Sequence, residues 1–420
     1  MVFSFARIGS PGGNRGALGA VTAVRAIDAG TVEVETARPF PVLLNALQQM
    51  PIMSRGWAEA HGAAAASDLT AQQENYAGRH SNGTGPFRLV SRETDSATVL
   101  AANPAWWDTP RHNLDTVTDL PIRNAATRTA SLLSGSTDAT VELPLQDVAR
   151  VRADPRLQVV QGPELRTIYL GMDQYRDELL YSDVQGRNPL KDHRVREALY
   201  RAIDVEAIRT AIMRGQAWPA GVMASPFLNG APTDLNVRLP FDPEAARGLL
   251  AAAGYPDGFG IGLACPNDRY VNDEQVCRAI AAMLARVGVR VTLQTEPTAA
   301  WSRRTAELNV SLFMLGHAAL PLADAYSTLA DVIHSRTERE GGLNYGRYSN
   351  PAVDALIERA AAEPDEAARR AEMHEAYALE RGDIGNIPLF QQPLTWAARR
   401  GVALHQAPDN ALRLWLVRVE

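Results

Sequence analysis

One stretch, residues 242–294, limits the fold more than any other. The apolar run IGLAC from Ile261 precedes a segment starting at Asn272 or Asp273, in which Val276, Ile280, Leu284 and Val287 recur at the spacing of one helical face. Gly288 stops that segment, and VRVTLQ then alternates with period two. Strand, helix, strand over so short a length requires a crossover between parallel strands, which is right-handed in nearly all cases. Such a sheet is covered by helices, so this part of the chain is expected to be α/β with parallel strands. Just upstream, Asp242 caps and Pro243 opens another helix with Ala246, Leu249 and Leu250 inward, and Gly254 ends it.

Residues 188–220, NPLKDHRVREALYRAIDVEAIRTAIMRGQAWPA, read as a helical hairpin. Asp192 is an N-cap, and Val195, Ala198, Leu199, Ala202 and Ile203 share a face that must be buried. Asp204 caps a second helix with Ile208, Ala211 and Ile212 on its apolar side, and Gly215 supplies a left-handed stop. Arg194, Arg196, Arg201 and Arg209 are expected on the solvated outer faces. Elsewhere, residues 1–7 leave little room for a complete element. Residues 21–37 alternate around an Asp28–Gly30 turn as a β-hairpin, and residues 40–49 form a short amphipathic helix. The Ala-rich residues 61–70 read as a surface helix or linker, and residues 83–100 return to sheet. Trp106 and Trp107 are adjacent, so one is expected on a surface or cleft. Residues 120–160 give strand, helix and a further strand–helix unit; the last helices follow Asn350-Pro351 and Asp365, and residues 387–390 form a short apolar strand.

At 420 residues and 46% hydrophobic, the chain can build two or three compact units. A net charge of −6 leaves no broad basic face, so nucleic acid is not expected as a partner. Apolar runs such as residues 279–285 fall short of the ~20 residues a spanning helix needs. Eight dispersed histidines offer no i, i+4 pair and no cluster at zinc spacing, so neither a metal centre nor a cofactor is expected. Cys265 and Cys277 can approach one another, but two buried thiols are the favoured reading. No G-x-S-x-G elbow occurs; a hydrolase would need Ser134 or Cys277 activated by a histidine that cannot be placed, and no catalytic residue is assigned.

Seven segments in order carry a family resemblance: GTGPFRLV from Gly83, NPAWW from Asn103, LLSGSTD from Leu132, NPLKDHRVREALYRAID from Asn188, FDPEAARGLLAAAGYPDGF from Phe241, LARVGVRV from Leu284 and NYGRYSNPAVDALI from Asn344. Together they resemble the family 5 extracellular solute-binding proteins of ABC importers, the dipeptide, oligopeptide and nickel group. The resemblance implies an α/β, two-lobed periplasmic binding protein-like fold (type II, Venus-flytrap) with an additional subdomain. On that pattern residues 1–82 are the remainder of the variable subdomain, 83–165 a segment of lobe I, 166–393 lobe II, and 394–420 the C-terminal return to lobe I. Met1 falls where the family is already inside its first lobe, so that lobe is expected to be N-terminally truncated; MVFSFARIGSPGG has neither the basic start nor the apolar core of a secretory leader.

The resemblance also implies a function: a monomeric, periplasmic or otherwise extracytoplasmic protein that captures a short peptide or similar small solute and delivers it to membrane permease subunits. Ligand sites in such folds form at loops after the strand carboxyl ends. Here those are residues 265–273, with Asn267, Arg269 and Tyr270, and residues 316–326, with His317, Asp324 and Tyr326. Arg269 can hold a carboxylate in a bidentate pair and Asp324 an amine, a clamp suited to short peptides; a helix N-cap is an equal reading of Asp324. The same fold could instead take a metal chelate, haem, a glycan or an opine, and a cleft hydrolase is the rival from another class.

Overall fold

The computed structural model describes residues 1–68, 71 and 73–420. Two compact units emerge: Met1–Gln161 with Thr395–Glu420, and Gly162–Leu394. The boundaries fall inside two strands, Leu157–Met172 and Ile387–Arg399.

In the 162–394 unit the strand–helix–strand pattern folds as its sequence requires. Strand Phe259–Pro266 pairs in parallel with Val289–Glu296, and helix Asp273–Ala285 joins them with Val276, Ile280 and Leu284 buried. The two strands start so close together that a Cβ on Gly258 would lie 2.0 Å from the Gly288 carbonyl oxygen, and both residues have positive φ, which is why glycine occupies both positions. Leu312–His317 lies parallel to Phe259–Pro266 on its other side and antiparallel to Leu157–Met172, with Leu312 opposite Met172 and His317 opposite Thr167. The sheet is therefore mixed rather than parallel throughout; side-chain periodicity carries no information on strand direction.

The helical pair in residues 188–220 largely follows its pattern. Asp192 accepts the Arg194 N–H and caps helix His193–Ala202, whose Val195, Ala198, Leu199 and Ala202 are buried. Asp204 caps Val205–Ala207, but the chain continues as a π-helical turn, Ile208–Ile212. That wider turn shifts the face by a residue, so Ala211 is exposed and Met213 is buried in its place. Arg196 also departs from expectation, being buried rather than on the outer face. Its guanidinium donates to the carbonyls of Leu190 and Lys191 (both 3.0 Å), Asp383 (2.7 and 3.2 Å) and Ile384 (3.1 Å), which gives all its nitrogens partners.

Helices Pro351–Ala360 and Glu366–Asp383 start at caps Asn350 and Asp365, and strand Ile387–Arg399 is longer than the four residues expected. Within the second helix Glu380 is buried, with Oε1 accepting from Asn386 Nδ2 at 3.1 Å. Burial pushes its carboxyl up to about 7.

The other unit is built from smaller pieces. Residues 2–8, where little room for an element was expected, form helix Val2–Ile8, because Val2, Phe5 and Ile8 pack on Leu18, Val21 and Val24. Val21–Ala26 and Val32–Thr36 make the expected hairpin, and Leu43–Leu47 the short helix. Residues 61–68 carry no helix, and residues 69 and 70 of that Ala-rich stretch lie outside the described residues. Phe87–Glu93, Ala97–Ala102 and Thr116–Asp119 form a three-stranded antiparallel sheet. Beyond it, Trp107 is 78% exposed. Helices Ala125–Ser134 and Val148–Ala153 place Leu132 and Val151 in a small core with Leu157 and Ala397.

Candidate functional site

Residues 267–272 and 318–324 leave the carboxyl ends of two adjacent parallel strands of the 162–394 unit, where open α/β sheets collect their ligand contacts. The first loop is tied at its base. Cys265 on the strand and Cys277 in the next helix form a disulfide across a Cα–Cα distance of 6.7 Å, which corrects the expectation of two buried thiols. The loop doubles back from strand to helix, so a sequence separation of 12 becomes one side-chain contact. Asp273 gathers the loop further, accepting the N–H groups of Arg269 and Tyr270 at 3.0 Å and of Glu274 at 2.9 Å. Burial raises its carboxyl above the ordinary range against those bonds.

Tyr270 joins the two strand ends. Its ring is buried, and its hydroxyl accepts from Arg269 Nε at 2.8 Å and from the Gly316 N–H at 2.9 Å. The Arg269 guanidinium stands 5.4 Å from the Tyr270 ring centre and 5.6 Å from that of Trp301. Among the described residues Arg269 makes no ion pair. Asn267 is exposed beside it, its N–H on the Glu296 carbonyl.

The second loop has two alanines in the left-handed region, Ala319 and Ala323 at φ 50° and 51°, a strain tolerated mainly where the surroundings dictate the path. His317 is buried, with Nδ1 3.1 Å from Thr328 Oγ1 and Nε2 3.3 Å from Asp331 Oδ2. Asp324 is 1% exposed. It takes two bonds from Arg369 (2.7 and 3.1 Å), one from Asn229 Nδ2 (2.9 Å) and one from the Tyr326 N–H (2.9 Å). Both oxygens are thus engaged, and Asp324 caps the helix Ala325–Thr328. Tyr326 is buried under the Arg369 guanidinium, 5.6 Å from its ring centre. The structure thus brings Arg269 and Tyr270 together with Gly316, while Asp324 and Tyr326 share Arg369.

Sequence reasoning missed the support behind Arg269. Glu164 pairs with Arg166 Nε at 3.2 Å and accepts from Gln392 Nε2 at 2.8 Å, and Gln392 Oε1 holds the Val271 N–H at 3.0 Å. Arg166 also donates to the Gly316 carbonyl at 3.3 Å. The signal was present: opposite charges at Glu164 and Arg166, two apart on a strand, share a face. Nothing local marks Gln392 or Trp301.

The hydrolase candidates find no support in their surroundings. Cys277 is consumed by the disulfide, and Ser134 Oγ bonds the Ser131 carbonyl and Ser136 Oγ at a helix end.

Comparison with known proteins places these features. Residues 1–336 match the model for bacterial extracellular solute-binding proteins, family 5 Middle. A heme-binding protein A of Haemophilus influenzae is 27% identical over 287 residues, covering 66% of this chain and 48% of the relative. The glutathione-binding protein GsiB of Salmonella typhimurium is 26% identical over 340 residues, 78% of this chain and 60% of the relative. This chain therefore spans about half to three fifths of the length of these relatives. Among solved structures, the periplasmic binding protein DppA of Helicobacter pylori in complex with the peptide STSA superposes with a TM-score of 0.77 at 22% identity, covering 100% of this chain and 81% of that one. A putative peptide-binding protein AppA from Clostridium difficile gives 0.83 at 17% identity, covering 100% and 84%. With the family model matched across residues 1–336 and the same α/β fold in these neighbours, the chain belongs to the bacterial extracellular solute-binding proteins of family 5.

Proposed function

We propose that this chain is the solute-binding component of an ABC importer, a monomer outside the cytoplasm that captures a short peptide or similar small solute and hands it to membrane permease subunits. The observation that carries the reading is Arg269: a guanidinium without an ion pair among the described residues, at a strand end, between two aromatic rings. Such a group suits a carboxylate, which it meets with charge-assisted bonds. Peptides, glutathione and haem all carry carboxylates, so the contact is expected whichever class is bound. Asn267, Tyr270 and His317 complete the loop-borne set, and Asp324 with Tyr326 shapes the second loop through Arg369. The Cys265–Cys277 disulfide fits an oxidising compartment. Among the described residues no helix is long and apolar enough to cross a membrane. Binding shifts a conformational equilibrium and makes or breaks no bond.

Calorimetric titration with short peptides tests this. Arg269→Ala is expected to weaken binding by roughly 1.5–3 kcal/mol. Amidating the peptide's C-terminus should cost the parent protein a similar amount and the variant nothing more. Unchanged affinity with an unchanged melting curve would sink the Arg269 contact, and turnover of a tripeptide pool would sink the binder in favour of an enzyme.

A further inference from the structure

A second set of charges in the 162–394 unit has no part in the solute reading. A cavity of about 670 Å³ is lined by Arg176, Asp177, Lys191, Arg196, Arg347 and Asp383, with Tyr175 and Tyr348 beside them. None of these belongs to the strand-end loops.

Arg176 and Arg347 share one counterion. Asp173, fully buried, receives an Arg176 nitrogen on one oxygen and Arg347 Nη2 at 3.0 Å on both. Its oxygens also take the N–H groups of Tyr175 and Arg176. Lys191 pairs at 2.7 Å with Asp177, whose side chain is fully exposed, so that pair lies in water and holds Lys191 only weakly. Arg196 is hydrogen-bonded by backbone carbonyls, with the Asp383 carboxylate near enough to act on its charge. Asp383 Oδ2 accepts from the Tyr348 hydroxyl and from Asn350 Nδ2. Four cations thus meet three carboxylates, and one of the three stands in solvent. Among the described residues the buried Arg347 Nε has no hydrogen-bond partner, while the Tyr175 ring, 65% exposed, stacks on its guanidinium at 4.4 Å. A buried guanidinium N–H without an acceptor costs free energy unless something fills the position.

We propose that this cavity binds a small oxyanion, a carboxylate or phosphate group seated beside the Arg347 guanidinium with Lys191 turning in from Asp177. One uncompensated positive charge and one unfilled donor make an anion the complementary guest. The Tyr175 ring shields the Arg347 guanidinium from water on one side and strengthens its hold.

Calorimetric titration of the full chain with inorganic phosphate, and separately with citrate, at fixed ionic strength, tests the assignment. Saturable binding of at least one at millimolar concentration or below is expected, and heat with only one of them identifies the source of the oxyanion. Arg347→Gln should weaken that binding about ten-fold or more, the scale of a lost charge-assisted bond. Lys191 is a surface residue, so Lys191→Glu keeps the test open if the Arg347 variant fails to fold: it should abolish binding, while Lys191→Ala weakens it several-fold. Arg269→Ala should leave it unchanged, which separates this site from the strand-end loops. No saturable heat with either anion, or binding indifferent to Lys191→Glu, overturns the proposal.

Discussion

The two units bury their strands differently. In the 162–394 unit, strand Leu312–His317 is buried at every residue and Phe259–Pro266 at all but one. In the other unit, Phe87–Glu93 and Ala97–Ala102 contain no fully buried residue, and Val90 is 62% exposed. The sequences announce the contrast: LFMLGH is an unbroken apolar run up to Gly316, while FRLVSRE is broken by charges. A strand covered on both faces needs the first kind of sequence, and one covered thinly on a single face tolerates the second. The difference teaches that cohesion here is concentrated in one unit, which also carries the loops and both sets of charges argued above.

The largest effect that could break this comparison is a core truncation on each side. Leu199, with no exposed surface, should lose about 2–5 kcal/mol on Leu199→Ala, whereas the half-buried Leu100 should lose about 1 kcal/mol or less on Leu100→Ala. Urea unfolding with hydrogen exchange read separately in each unit checks this, and equal losses would erase the contrast. Next in size is the disulfide. Replacing Cys265 and Cys277 with alanine should destabilise the 162–394 unit by about 3 kcal/mol through the larger entropy of the opened loop. Exchange in Phe87–Glu93 should not move; if it did, the units would not be energetically separate.

The smallest effect is a pH dependence confined to one unit. Glu380 titrates at about 7 in the folded chain against an ordinary 4.5. Its contribution is complete below the ordinary value, is lost as pH rises toward 7, and is absent above it, because between those values unfolding releases a proton that the folded state keeps. Stability of the 162–394 unit should therefore fall between about pH 4.5 and pH 7 by on the order of 2 kcal/mol, and Glu380→Gln should flatten that slope. A slope that survives the substitution would assign it to another group.

What the sequence made legible is local. Asp192, Asp204, Asp242, Asn350 and Asp365 all cap the helices they precede, because a cap needs only the next three residues. The crossover at 259–296 and the hairpin at 21–36 were readable for the same reason. What stayed hidden depends on partners far along the chain. Asp324 looks alike as a ligand contact and as a cap until Arg369 is placed beside it. The Cys265–Cys277 pairing requires knowing how the loop turns, and Ala211 was misplaced because a π-helical turn leaves no mark in spacing. Arg269 and Tyr270 could be placed after a strand from the sequence, but the Glu164–Gln392 support behind them joins residues 228 apart.

Arg196 carries a consequence for synthesis. Two of the carbonyls that receive its guanidinium, those of Asp383 and Ile384, lie 187 and 188 residues downstream. As the chain leaves the ribosome at ~5–20 residues per second, helix His193–Ala202 is complete many seconds before this socket exists. During that interval the guanidinium must stay hydrated while the apolar face at Val195 and Leu199 seeks cover. Arg196 thus gains its full set of acceptors only after Ile384 has been made, and a nascent chain halted before Asp383 holds this helix without its lock.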